Sequence, residues 1–236
     1  MRKPFGIFTV VASLALWSTA VLTSGGTWAT KTSMTARNNL SAGEINGLVY
    51  AAGGWASSHK TTVESYDPTT NAWTPRAALP GFQTNAASAV IDGVLYLAGG
   101  TDCCVAISTT RKYTAATNSW AALASMPTIR QGAGGAAFGG KFYVAGGMNA
   151  GGSVSTLEEY NPGTNSWTVK ASMPTARTHV GAVTIGNYIY VVGGWATPGS
   201  GVLGTVEAYD PASNSWFSLP PMPTPRRPPV FSSSRV

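Results

Sequence analysis

Gly-Gly pairs recur with a fixed period along the chain, at residues 53–54, 99–100, 146–147 and 193–194, in steps of 46, 47 and 47. A period of this length restricts the chain to folds that stack like units, since one such unit cannot cover both of its own faces. The surrounding residues keep the same period. Tyr50, Tyr96, Tyr143 and Tyr190 each stand three residues before a pair. A second set, Tyr66, Tyr113, Tyr160 and Tyr209, follows, with Asp67-Pro68, Asn161-Pro162 and Asp210-Pro211 after three of them. Then come Asn71-x-Trp73, Asn118-x-Trp120, Asn165-x-Trp167 and Asn214-x-Trp216, and each unit closes on Leu79-Pro80, Met126-Pro127, Met173-Pro174 or Met222-Pro223. The units are therefore 34–80, 81–127, 128–174 and 175–223, and residues 224–236 begin a fifth.

Each unit reads as four strands. In the third these are strand A at about 131–138, B at 141–145, C at 154–160 and D at 166–170, with Asn161-Pro162 as a turn dipeptide. Composition agrees with an all-β chain. Only 10% of the 236 residues are charged, too few for long amphipathic helices, while 28 Gly and 15 Pro supply turns. Eight Trp, nine Tyr and seven Phe give the apolar surface that a disordered chain lacks. Four short antiparallel strands per 47 residues describe a propeller blade.

Gly-Gly, Tyr-Asp-Pro, Asn-x-Trp and Met-Pro-x-x-Arg at these spacings resemble the kelch repeat over about residues 34–236. The resemblance implies a kelch β-propeller with four complete blades and the start of a fifth, a fold used for protein interaction and by a few enzymes. Kelch propellers usually have six or seven blades. The second unit also departs from the pattern, with Tyr113-Thr114-Ala115 at the turn and Arg111 where Glu64, Glu158 and Glu207 stand elsewhere.

Strand parity places the candidate binding face. Antiparallel strands reverse direction, so the B–C loops and the D–A linkers share one face of the propeller. From Gly pair to second tyrosine the spacing is 13, 14, 14 and 16 residues, whereas tyrosine to tryptophan is always 7. Length variation is confined to the B–C loops, where specificity is carried on a fixed scaffold. Arg37, Gln83, Arg130 and Arg177 recur at the start of strand A. Kelch resemblance puts this position at the channel mouth, where arginine forks would take carboxylate or phosphate. The other reading has these arginines bonding loop carbonyls or pairing with the repeat glutamates. Trp55 and Trp195 follow their Gly pairs, and His59 and His179 fall on the same face; ligand contact and blade packing are the two readings of the tryptophans. Two histidines without a carboxylate or cysteine set are a poor metal site, so no metal or other cofactor is expected. Cys103 and Cys104, the only cysteines, are adjacent in the second B–C loop and could form a vicinal disulfide, remain thiols or bridge to another molecule.

Charge argues against nucleic acid as a partner. Five of the formal +6 charges come from the two ends, and residues 4–225 hold ten Lys/Arg against nine Asp/Glu with no basic stripe. Met1-Arg2-Lys3, the uncharged run Phe5–Leu22 and Thr27-Trp28-Ala29 read as an export signal over residues 1–29, with a mature chain of 30–236; an uncleaved membrane anchor is the alternative. The expected product is secreted, periplasmic or on the cell surface. Its expected function is a binding module for a protein or glycan at the B–C loop face. The alternative is a sugar-modifying kelch enzyme, sialic acid isomerase-like or, with less support, galactose oxidase-like. The Tyr–Cys pair and histidines of the copper oxidases are not matched, and no nucleophile–base motif is visible, so no catalytic residue is assigned. Neither chain end offers a convincing closing strand: 38–45 is poor in strand formers, and Pro228-Pro229 precedes Val230-Phe231-Ser232. An incomplete array with open blade faces and a tendency to self-associate is the resulting expectation.

Overall fold

The computed structural model describes residues 20–22, 28–197 and 201–226. The N-terminal run as far as Thr19 and the fifth-unit strand at Val230–Ser232 lie outside these residues. Four antiparallel sheets of four strands follow the repeat, each in the order A-B-C-D. Blade 1 has strands Ser41–Ile45, Leu48–Ala52, Val63–Asp67 and Ala72–Arg76; blade 2 has Ala87–Ile91, Val94–Ala98, Thr110–Thr114 and Ser119–Leu123. Blade 3 is built from Gly134–Phe138, Lys141–Ala145, Leu157–Asn161 and Ser166–Lys170, and blade 4 from Gly181–Ile185, Tyr188–Val192, Val206–Asp210 and Ser215–Leu219. Ala20–Leu22 pairs with Trp28–Thr30 ahead of them.

Strands A and B are joined by two-residue turns. Both central residues of Asn46-Gly47, Asp92-Gly93 and Gly139-Gly140 have positive φ, which matches the right-handed twist of the strands they link. The inner strands of successive blades pack against one another, and the approach is close. A Cβ on Gly43 would sit 2.5 Å from Val90 Cγ2, and one on Gly135 would sit 2.5 Å from the Ser88 carbonyl oxygen. This corrects the expectation that 38–45 makes a poor strand. Ser41–Ile45 pairs residue for residue with Leu48–Ala52, because near the axis small side chains are what the packing admits.

The repeated aromatics form the inter-blade core. Tyr50 of strand B meets Tyr113 of the next blade at 5.5 Å between ring centroids, Tyr96 meets Tyr160 at 6.0 Å and Tyr143 meets Tyr209 at 6.1 Å. Around them lie Leu95 and Leu97, then Phe142 and Val144, then Ile189 and Val191, all buried.

The Asn-x-Trp motif is a clamp between blades. In each blade the asparagine has positive φ, and its Oδ1 accepts from the strand-C tyrosine hydroxyl, at 2.9 Å in blade 1 and 2.7 Å in the others. The same oxygen accepts the backbone N–H of the incoming linker at Thr32, Ala77, Ala124 or Ala171. The indole N–H of the tryptophan donates to the carbonyl of that linker residue at 2.7–2.9 Å. One asparagine and one tryptophan thus satisfy both polar groups of a residue crossing between blades, which a partly buried linker requires.

Blade 4 ends the series differently. Its outward face leaves Ile185 60%, Tyr188 37% and Phe217 37% exposed, whereas Phe142 and Leu95 at inward-facing sites are fully covered. Among the described residues no backbone hydrogen bond joins blade 4 to blade 1.

Candidate functional site

Each B–C loop is stitched to the D–A linker beside it. The residue after the Gly pair forms a reciprocal backbone bridge with the residue after the repeat arginine: Trp55 with Asn38, Thr101 with Thr84, Met148 with Gln131 and Trp195 with Thr178. The Gly pair makes room for this. A Cβ on Gly99 would lie 2.5 Å from the Arg130 carbonyl oxygen, and Gly99 and Gly100 both have positive φ. Further rungs then cross between blades: Asn85 donates its N–H to the Asn39 carbonyl, Gly132 to Asn85, and His179 to Gly132, at 2.7–2.9 Å. All four of these residues have positive φ, so the rim of the face is one continuous hydrogen-bonded strip of left-handed residues.

The repeat arginines are turned onto the blades themselves. Arg130 and Arg177 are fully buried and Arg37 nearly so. Arg130 Nη2 donates to Glu158 Oε2 at 2.8 Å and to the Val144 carbonyl, and Nη1 to the Thr156 carbonyl. Arg177 makes the same pair with Glu207 at 2.7 Å and reaches the carbonyls of Val191, Gly193 and Thr205. Arg37 bonds Glu64 at 2.6 Å and the Ala51 carbonyl. Of the two sequence readings, pairing with glutamates and carbonyls describes the geometry; a mouth of outward forks does not, because those nitrogens already have partners inside the blade. Burial pushes the Arg130 guanidinium down to about 10 against the pull of Glu158, and Arg177 shifts the same way for the same reason. Thr35, Thr128 and Thr175 complete each cluster by donating a hydroxyl to the glutamate.

Blade 2 inverts the arrangement. Buried Gln83 spans the Gly99 and Thr109 carbonyls with its Nε2 and accepts from Arg111 Nη1 at 2.7 Å with its Oε1. Gly81 stands where the other blades have threonine. The sequence signal was the Arg-for-Glu exchange at 111, whose meaning emerges only when Gln83 is seen across from it.

The aromatic residues lie on the loop face. Trp55 is 43% exposed; His59 packs in a tilted arrangement against exposed Phe82 at 5.7 Å between ring centroids and shares a hydrogen bond with Thr84 Oγ1. Trp195 is half-buried and packs in a tilted arrangement against His179 at 5.4 Å between ring centroids. The histidines thus sit in separate sectors, in blades 1 and 4. Among the described residues no group of three or more His, Cys, Asp or Glu gathers at metal-binding distance. Cys103 and Cys104 are exposed thiols with sulfurs 3.3 Å apart, and Cys103 has φ of 94°. The Cys104 sulfur and the Asp102 charge raise the Cys103 thiol above its ordinary range.

Residues that the sequence reading passed over complete this face. Phe82, Val105, Ile129 and Val202 are 40–61% exposed and lie on its linkers and loops. The opposite end is polar except at the A–B turn of blade 4, where Ile185 and Tyr188 are exposed; Asp67 and Asp210 accept from their own turns, and hydroxyls pair at Thr117–Ser119, Thr164–Ser166 and Ser213–Ser215. Another group missed is Glu159, buried between blades 3 and 4. It takes Lys141 Nζ at 2.7 Å, Lys170 Nζ at 3.2 Å and the hydroxyl of Tyr143. Burial alone would raise its carboxyl, but these three donors outweigh it and hold the group below its ordinary value. The adjacent Glu158-Glu159 was its only trace in sequence.

Comparison with known proteins agrees with this architecture. The solved structure titled "Structure of YjhT" superposes with a TM-score of 0.71 at 24% identity, over 83% of this chain and 68% of that one, a likeness of fold. The family described as the KLHDC2/KLHL20/DRC7 kelch-repeats domain matches residues 41–235. With its repeat, its blades and that match in agreement, the chain belongs to the kelch-repeat family.

Proposed function

We propose that this chain is a binding module that holds a protein partner on the face made by its B–C loops and D–A linkers. The observation that carries the reading is the contrast between its two ends, one exposing apolar residues in every blade and the other only at Ile185 and Tyr188 of blade 4. Trp55, Phe82, Val105, Ile129 and Val202 expose large apolar surface on one side, contributed by loops and linkers of every blade. Apolar and aromatic side chains on a braced backbone supply contact area at low entropic cost. The strip of inter-blade hydrogen bonds keeps that backbone in place. A glycan is the second ligand class this face would suit, by ring stacking on Trp55 and on the Trp195–His179 pair.

Export belongs to the same proposal. The basic start, apolar run and Thr-Trp-Ala site support cleavage before Thr30. N-terminal sequencing of protein from outside the cell should begin at Thr30; an intact Met1 form in the membrane fraction would favour the anchor.

The binding face is tested by paired triple variants. Trp55→Ser, Phe82→Ser and Ile129→Ser together should abolish retention of proteins identified by mass spectrometry on the immobilised chain. Thr117→Ala, Thr164→Ala and Ser213→Ala at the opposite end should leave it intact. Equal retention by both sets would overturn the assignment of the face, and glycan-array binding lost in the first set would shift the ligand class to sugar.

A further inference from the structure

The inverted cluster in blade 2 leaves a cation open where three sibling blades hold a carboxylate. Glu64, Glu158 and Glu207 each receive an arginine and a threonine hydroxyl. In blade 2 the corresponding position is Arg111, and the threonine is Gly81. Arg111 Nη2 lies 3.3 Å from where a Cβ on Gly81 would be, so the missing side chain is what gives the guanidinium its space. Its Nη1 is bound to a neutral amide, Gln83. Among the described residues no carboxylate lies within ion-pair distance of Arg111, and none of its nitrogens is both buried and without a partner. Its unbonded donors therefore reach solvent. The group is half-buried, and desolvation lowers its affinity for the proton with no charge to offset the cost.

A half-desolvated guanidinium gains most from a carboxylate, which its fork can grip through two parallel hydrogen bonds. Next along the linker, Phe82 is exposed, with the His59 ring tilted against it at 5.7 Å. An arginine fork next to an exposed aromatic is the composition of a protein-binding hot spot. We infer that Arg111 is an anchor for an aspartate or glutamate side chain of an acidic peptide segment, docked across Gly81 and Phe82 at the junction of blades 1 and 2. This rests on the loop-face reading above and names the chemistry of one of its contacts.

The probe is an acetylated, amidated hexaglutamate peptide, with hexaglutamine as its neutral counterpart, titrated into the full chain by fluorescence anisotropy at low and at physiological salt. Hexaglutamate should bind and weaken with salt, and hexaglutamine should not bind. Arg111→Gln should weaken hexaglutamate about tenfold, the loss expected for one charged hydrogen-bonded contact. The double variant Gln83→Arg/Arg111→Glu rebuilds the ion pair of the sibling blades, so it should fold and yet show the same loss. Lys112→Gln removes one charge from the opposite side of the same strand and should bind as the unaltered chain does. Equal loss in Lys112→Gln and Arg111→Gln would reduce the effect to overall charge and overturn the anchor. So would absence of hexaglutamate binding, or displacement of a bound probe by glucuronate alone. If Arg111 variants bind normally while the Trp55, Phe82 and Ile129 triple variant does not, the anchor falls and the loop face stands.

Discussion

Blades 2 and 3 share one backbone plan and differ in what they bury at the same place. Blade 3 seals a full charge pair, Arg130–Glu158, with no side-chain exposure on either partner. Blade 2 replaces it with an amide, Gln83, that bonds the Gly99 and Thr109 carbonyls, the second at the position of Thr156 in blade 3, and moves its cation outward to Arg111. What the two blades share here is a buried side-chain donor on the carbonyl of Thr109 or Thr156, a role that guanidinium and amide both fill. The charge pair is one solution, and where it is dropped the site is released for other use.

The largest consequence concerns stability. Arg130→Ala strands Glu158 as an unpaired buried charge and should cost about 3–5 kcal/mol in urea denaturation. Gln83→Ala in blade 2 removes two amide–carbonyl hydrogen bonds and one from half-buried Arg111, strands no fully buried charge, and should cost about 1–3 kcal/mol. Equal losses would show that charge is not what separates the two blades. The clamp makes a control of the same size as Gln83→Ala. Asn118→Ala and Asn165→Ala each remove the acceptor for a tyrosine hydroxyl and a linker N–H, and each should cost about 1–3 kcal/mol, alike in both blades. A clear difference would mean that blade 2 is weaker throughout, its inverted pair being one symptom.

The smallest effect is in pH dependence. Blade 3 carries Glu159 with its two lysines and Tyr143, and blade 2 has Lys112 at that position. A carboxyl held low in the folded chain favours folding above its unfolded value, near about 4.3, and that contribution fades as pH falls through the folded value. Denaturation midpoints measured from pH 6 down to pH 3 should fall less steeply in Glu159→Gln than in the unaltered chain. Burial pushes Tyr209 in the same interface up to about 12, so this residue should play no part in that window. Parallel midpoint curves would remove the carboxyl from the account.

Much of this was legible in the residues. The 46–47 residue period gave the blades, and the positions of Tyr, Asn and Trp gave the clamp residues, though not their bonds. A conserved spacing cannot show that Asn165 Oδ1 meets the N–H of Ala124, because the two are 41 residues apart and belong to different blades. The arginines illustrate the limit best. Their spacing placed Arg37, Arg130 and Arg177 at the loop face, but whether a guanidinium points to solvent or into the blade depends on what stands opposite in strand C. Strand A of blade 1 departs from its composition for a related reason. Propensity scores a strand by its own residues, whereas Gly43 is admitted there by Val90 of the next blade.

The sequence by itself therefore determined the fold class, the blade boundaries and the face on which the loops vary, because each follows from local period and strand parity. The tertiary structure alone decided which polar groups are buried with partners and which are left open. Burial is a property of neighbours brought together from distant parts of the chain, and Arg111 and Arg130 are told apart by theirs: a neutral Gln83 beside one and a carboxylate beside the other.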